Sequence, residues 1–180
     1  QSRLGLGRQV KSLDIGSACL GFIDGLELAA LAIESGLAAH ALVVAGENSA
    51  PNLEPTIKIL LNENSDRNLF YRNFASLTLG PGGAAMILGQ VDEYPDAPRL
   101  IRSVSRSDAE ANHLCRGDSG GMATDSTGLL AAGAALADET FNLGRAHFGR
   151  RPDFFALYIR HPVSAAHPQK LCQALGMAAN

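Results

Sequence analysis

"SLDIGSACLGFIDGLELAALAIESGLAAHALVVAGE", residues 12–47, is the stretch whose reading decides the fold. Leu13-Asp14-Ile15 alternates like the end of a strand. Gly16 and Ser17 turn the chain, and Ser17 stands where an N-cap belongs. From Cys19 the pattern is helical, and residues 19–37 form the clearest helix of the chain. Its acids Asp24, Glu27 and Glu34 fall within one stripe roughly 80° wide at about 100° per residue. The rest is almost entirely apolar or glycine, which predicts a helix buried over most of its circumference and closed by Gly36. His40–Glu47 is a continuous apolar strand of the kind found inside a covered sheet.

Beyond that core, "NSAPNLEPT" reads as loop, "IKILLNE" as a short helix and Gly82–Gln90 as another buried strand. "VDEYPDAP" carries two prolines and three acids and serves as a connection between two halves. "RLIRSVSRSD" is read as a strand, and Thr124–Gly144 as a long amphipathic helix with Asp125 or Thr124 near its cap. Phe154–Arg160 is an aromatic-rich strand stopped by Pro162, followed by a last helix with Gly176 as C-cap. Strands alternating with helices predict an α/β class with a largely parallel or mixed sheet.

Composition narrows the function. A chain of 180 residues, 46% hydrophobic and 18% charged, has enough apolar material for a sizeable core. A net charge of −3 leaves no footprint for nucleic acid, and the short basic stretch Gly144–Arg151 reads as a solvated helix end. Glu34 and His40 interrupt the longest apolar region, so no membrane span is expected. Three widely spaced cysteines suggest neither a disulfide framework nor a zinc site, which fits a reduced, cytoplasmic protein. Beginning at "QSRLG" without Met and stopping at "GMAAN" just after a helix, the chain reads as a piece of something longer.

Three motifs invite other readings. "GDSGG", Gly117–Gly121, matches the nucleophile segment of trypsin-like serine proteases, but those are all-β barrels with a particular histidine and aspartate upstream. Here the surroundings are α/β, so a flexible Ser/Gly loop is preferred to a nucleophilic Ser119. "LGPGGAAMILG" leads into a strand rather than a helix and fits neither phosphate-cradling pattern. His161 and His167 lack the i, i+4 spacing of a helical metal pair, so no metal is expected.

Functional groups in sheets with helical crossovers collect outside the carboxyl ends of the strands. Cys19 and His161 both hold that position. A thiol at a helix N-terminus has its thiolate favoured, and a histidine can assist it or donate to a substrate oxygen. Taken singly, Cys19 is also readable as a small buried hydrophobe and His161 as a structural histidine. Cys115 and Cys172 are read as structural.

Residues 14–47 resemble the active-site cysteine segment of the thiolase superfamily, in particular the ketoacyl synthase III-like condensing enzymes. There Asp-x-x-x-Ala-Cys-x-Gly opens a buried helix whose cysteine is acylated, which maps onto Cys19. "NFASLTLGPGGAAMILG" resembles the strand closing the first half of that fold, and "YIRHPVSAAHPQKLCQALGM" the segment with the catalytic histidine, which maps onto His161. Pro162 stands where family members often carry Gln. "GENS" and "LCRGDSGGMATDSTGLLAAG" are most similar to the branch that joins two long acyl-CoA chains for olefin or ketone synthesis.

The resemblance implies a thiolase-like layered α/β/α/β/α fold, here the end of its first half and most of its second. It implies residues 1–91 as the end of the amino-terminal half and 92–180 as an incomplete carboxyl-terminal half, with the family's catalytic asparagine past Asn180. It further implies Claisen condensation of acyl thioesters through an acyl-cysteine, in a cytoplasmic homodimer. Acyl-CoA or acyl-carrier protein is then substrate, with no tightly held cofactor and no stable membrane insertion. A decarboxylative ketoacyl synthase III and a non-catalytic thiolase-fold subunit are the rival readings.

Overall fold

The structure is a computed structural model that describes residues 2–62, 64–118, 121–149, 154–159, 161 and 175. The chain forms two compact units, one of residues up to Glu47 with Gly82–Ile101, the other of Asn48–Pro81 with the chain from Arg102.

In the first unit, helix α1 (Gly21–Glu34) packs on strands β1 (His40–Glu47) and β2 (Gly82–Gly89). The helix presents Gly25, Ala29 and Ile33, spaced i, i+4, i+8, as its buried stripe. Gly25 sits so close to β1 that a Cβ there would lie 2.8 Å from Val43 Cγ1. The expected stop at Gly36 is realised as a Schellman motif: Gly36 adopts φ +75°, its N–H donates to the Ile33 carbonyl, and the Leu37 N–H to that of Ala32.

Strands β1 and β2 pair antiparallel, with His40 opposite Gly89 and Glu47 opposite Gly82, a pairing that a mixed sheet admits and an all-parallel one does not. The two strands are not covered on both faces either. α1 lies on one face, while Leu42 and Val44 in β1 and Ile87 in β2 stay exposed. α1 is likewise buried along one stripe only, and Leu20, Ile23, Leu28 and Leu31 are exposed. The sequence pattern records how much apolar surface a helix offers; the described residues supply a neighbour for only part of it.

The second unit groups α2 (Ala50–Leu60), α3 (Arg67–Asn73) and a 3₁₀ helix at Phe74–Thr78 around a hairpin, β3 (Cys115–Asp118) and β4 (Gly121–Thr124). α4 (Ser126–Phe148) follows the hairpin. α2 runs through most of what reads as loop. Pro51 falls in its first turn, where a missing N–H costs nothing, and Pro55 gives up one bond inside it. Thr56, fully buried, donates to the Asn52 carbonyl, and packing on β4 and the 3₁₀ helix outweighs the prolines.

Asp66 caps α3 by accepting from the Leu69 N–H, and Asp125 caps α4 by accepting from that of Gly128. α4 runs past Gly144 to Phe148, because that glycine is buried against Val104 rather than ending the helix; Gly149, at φ +60°, ends it.

Three expected strands are not formed among the described residues. Residues 13–15, 99–108 and 154–159 form no ladder. A strand's ladder bonds come from another extended segment, and the described residues pair no such segment with these three. The expected last helix, apart from Leu175, lies outside the described residues, as do Ser119, Arg160, Pro162, His167 and Cys172. No helix of the described residues is long and apolar enough to cross a membrane.

Candidate active site

Cys19 sits in the middle of a 3₁₀ turn, Ala18–Leu20, that leads directly into α1. Ser17 precedes this turn, but its side chain makes no cap bond. Instead its carbonyl accepts from the Leu20 N–H at 3.0 Å, while the Ala18 carbonyl accepts from Gly21. Ala18 has φ +46°, the left-handed region that an alanine adopts only against a steric cost. That turn reverses the chain between Ile15 and the helix, and Gly21 lies against the Ile15 carbonyl, where a Cβ would be 3.7 Å from its oxygen. The result is a free, exposed thiol at the head of α1, next to a helix end whose first N–H groups have no intrahelical acceptor. The thiol is exposed among the described residues.

His161 is exposed and belongs to the second unit, whereas Cys19 belongs to the first. Cys115 is also an exposed free thiol; its Sγ lies 3.5 Å from the Thr124 Oγ1 across the hairpin. Among the described residues no group of three or more His, Cys, Asp or Glu side chains is arranged to hold a metal.

Of "GDSGG", expected as a flexible loop, Ser119 and Gly120 lie outside the described residues. Its ends lie in β3 and β4, with Gly117 opposite Met122 and Asp118 opposite Gly121. The hairpin is anchored from below, where Ser76, fully buried, donates to the Met122 carbonyl at 3.3 Å. Neither upstream histidine carries the protease pattern. His113 Nδ1 bonds the Glu110 carbonyl, and His40, in the first unit, bonds Tyr94 and neighbours Glu93. This last cluster was missed in the sequence. His40 stands more than fifty positions from Glu93 and Tyr94, and no local spacing announces a contact of that kind.

The family model for 3-oxoacyl-[acyl-carrier-protein] synthase III matches residues 13–109, more than half of the chain. An acyl-CoA:acyl-CoA alkyltransferase of Xanthomonas campestris pv. campestris is 35% identical over 174 residues, covering 97% of this chain and 52% of that protein. The crystal structure of Xanthomonas campestris OleA, in a cysteine-to-serine variant with bound lauric acid and lauroyl-CoA, is similar at a TM-score of 0.94 and 34% identity, covering 98% of this chain and 52% of the other. The 3-oxoacyl-(acyl carrier protein) synthase III of Xanthomonas oryzae is similar at 0.93 and 36%, with the same coverage. The chain thus spans about half the length of the relatives it matches.

Proposed function

This chain belongs to the 3-oxoacyl-[acyl-carrier-protein] synthase III family, and on that premise we propose that it carries the acyl-accepting cysteine and the histidine of an acyltransferase that condenses two acyl thioesters. Its fold is thiolase-like α/β. The observation that carries the proposal is the position of Cys19: an exposed thiol on a strained turn at the head of α1, inside the matched segment.

In the first stage the Cys19 thiolate attacks the carbonyl carbon of an acyl thioester. The bond from that carbon to the leaving sulfur breaks, and coenzyme A departs, taking up a proton. In the second stage another acyl thioester loses an α-proton, and its carbanion attacks the acyl-cysteine carbonyl. The new carbon–carbon bond forms as the Sγ–acyl bond breaks, which returns the Cys19 thiolate and releases a β-ketoacyl thioester. His161 donates to the thioester oxygen as enolate charge grows, where a fixed donor acts most strongly.

In this reading acyl-CoA or acyl-carrier protein supplies both thioesters and no tightly bound cofactor takes part. The protein works in the cytoplasm as a homodimer, with residues 1–91 and 92–180 belonging to the two thiolase-like halves. The alkyltransferase name of the Xanthomonas campestris relative and the lauroyl-CoA bound to OleA support simple acyl-CoA as both partners, toward long-chain olefin or ketone.

Intact-mass analysis of the full-length protein after incubation with acyl-CoA tests it. One acyl adduct is expected, lost in Cys19→Ala and kept in Ser119→Ala; an adduct that survives Cys19→Ala overturns the nucleophile. A second reading, decarboxylative condensation with a malonyl thioester, is favoured by the description of the matching family and by the Xanthomonas oryzae structure. Product formed from acyl-CoA alone supports the first reading; product only with a malonyl thioester, accompanied by carbon dioxide, supports the second. A thiol at Cys19 that no alkylating reagent labels would make the chain a non-catalytic subunit.

A further inference from the structure

We infer that Ala18 is a positioning residue for the acylation of Cys19, acting through its left-handed backbone rather than through its side chain. The inference rests on the functional reading above, in which Cys19 takes the acyl group, and extends it to the residue that aims the thiol. Among the described residues positive φ occurs at Gly5, Gly36 and Gly149, where no Cβ opposes it, and at Ala18, immediately before Cys19. Ala18 is exposed, so no burial of its methyl offsets the cost of that conformation.

The reversal of the chain is concentrated in this one residue. Ser17 before it has φ −124°, and Leu20 and Gly21 after it have φ −92° and −53°, all in ordinary ranges. Both sides of the rotation are tied down. On the incoming side Ile15 reaches the seam between α1 and β1, where a Cβ at Gly25 would lie 3.6 Å from Ile15 Cδ1 and 2.8 Å from Val43 Cγ1. On the outgoing side α1 packs on β1. Turning Ala18 into the usual negative range swings Cys19 and α1 against residues 15–17, so either Ile15 leaves that seam or the thiol leaves its place.

Two backbone bonds close the turn about the thiol, from the Leu20 N–H to the Ser17 carbonyl at 3.0 Å and from the Gly21 N–H to the Ala18 carbonyl. Two such bonds contribute about as much as one left-handed alanine costs. The closed turn is therefore held with a narrow margin, and a change in the cost at position 18 shifts the fraction of molecules whose thiol is aimed. An acyl thioester has to meet the sulfur along a defined line of approach, so that fraction sets the loading rate. Because position 18 is exposed, what counts there is tolerance of positive φ, and bulk does not.

Ala18→Gly, Ala18→Asn and Ala18→Val in the full-length protein separate tolerance from bulk. Asn and Val are comparable in size, but Asn accepts positive φ and a β-branched side chain does not. Single-turnover loading from acyl-CoA, followed by intact mass, should run at or above the wild-type rate in Ala18→Gly and within about threefold of it in Ala18→Asn. In Ala18→Val it should be roughly 5- to 30-fold slower. Amide hydrogen exchange at fixed pH should give the same order of protection at the Leu20 and Gly21 amides, while amides within β1 keep wild-type protection and show that the variants are folded. Ala18→Val loading at the wild-type rate, or Ala18→Asn slowed as far as Ala18→Val, overturns the proposal. Failure of the functional reading itself looks different: neither wild type nor any variant then takes an adduct at Cys19, and this inference falls with it.

Discussion

Ala18 holds a backbone conformation that costs an ordinary residue about 1–2 kcal/mol, one position before the thiol assigned as nucleophile. Strain of this kind persists only where the surrounding structure enforces it. Here the 3₁₀ turn and the close seat of Gly21 on the Ile15 carbonyl do so. Its consequence is an exposed sulfur at a sharp entry into α1 rather than a thiol folded into the core. In the reaction proposed, His161 acts at a different moment. As a donor to enolate oxygen it faces charge that develops only in the second stage, where removing one such donor costs roughly 3 kcal/mol. His161→Ala should therefore load acyl groups at near the wild-type rate yet condense them on the order of 100-fold more slowly. Single-turnover acylation followed separately from condensation checks this; equal damage to both stages would make His161 the base that activates Cys19.

At the scale of elements, two glycines in helices carry opposite expectations. Gly25 lies where α1 meets β1, and an added methyl would come within 2.8 Å of a carbon of Val43, whose β-branched side chain has little freedom to yield. Gly133, in α4, has open space around its Cβ position. Replacing glycine by alanine improves helix propensity by about 1 kcal/mol at either site. Overpacking at Gly25 costs about 1–3 kcal/mol and outweighs that gain. Urea unfolding of the full-length protein should place Gly133→Ala above wild type by up to about 1 kcal/mol and Gly25→Ala below it. A stabilised Gly25→Ala would mean that α1 stands farther from β1 than described.

For the whole molecule, the decisive quantity is the apolar surface left bare within each unit. In the first, Ile23 and Leu31 on α1 are each 54% exposed, and Val44 and Ile87 on the sheet are 63% and 73%. Faces of this kind mark interaction surfaces or aggregation hazards. Residues 1–180 expressed alone should bind a hydrophobic dye, self-associate or precipitate, and yield no condensation product. A cooperative monomer turning over acyl-CoA would show that the active site is built otherwise.

The sequence by itself determined α1 with its Schellman stop, the extents of β1 and β2, the Asp125 cap of α4, and Cys19 at a turn into a helix. Apart from the strand extents, which continuous apolar runs mark, each of these rests on interactions between near neighbours: i to i−4 bonds, a capping side chain, a glycine that admits positive φ. Only the tertiary structure decided that β1 and β2 run antiparallel, that α2 runs through its prolines, and that β3 pairs with β4 over Ser76. It also decided that His40 meets Glu93 and Tyr94, and that residues 13–15, 99–108 and 154–159 form no ladder. The physical reason is common to all of these. A strand, a buried polar contact or a tolerated proline depends on a partner from a distant part of the chain, and local periodicity carries no record of which partner arrives.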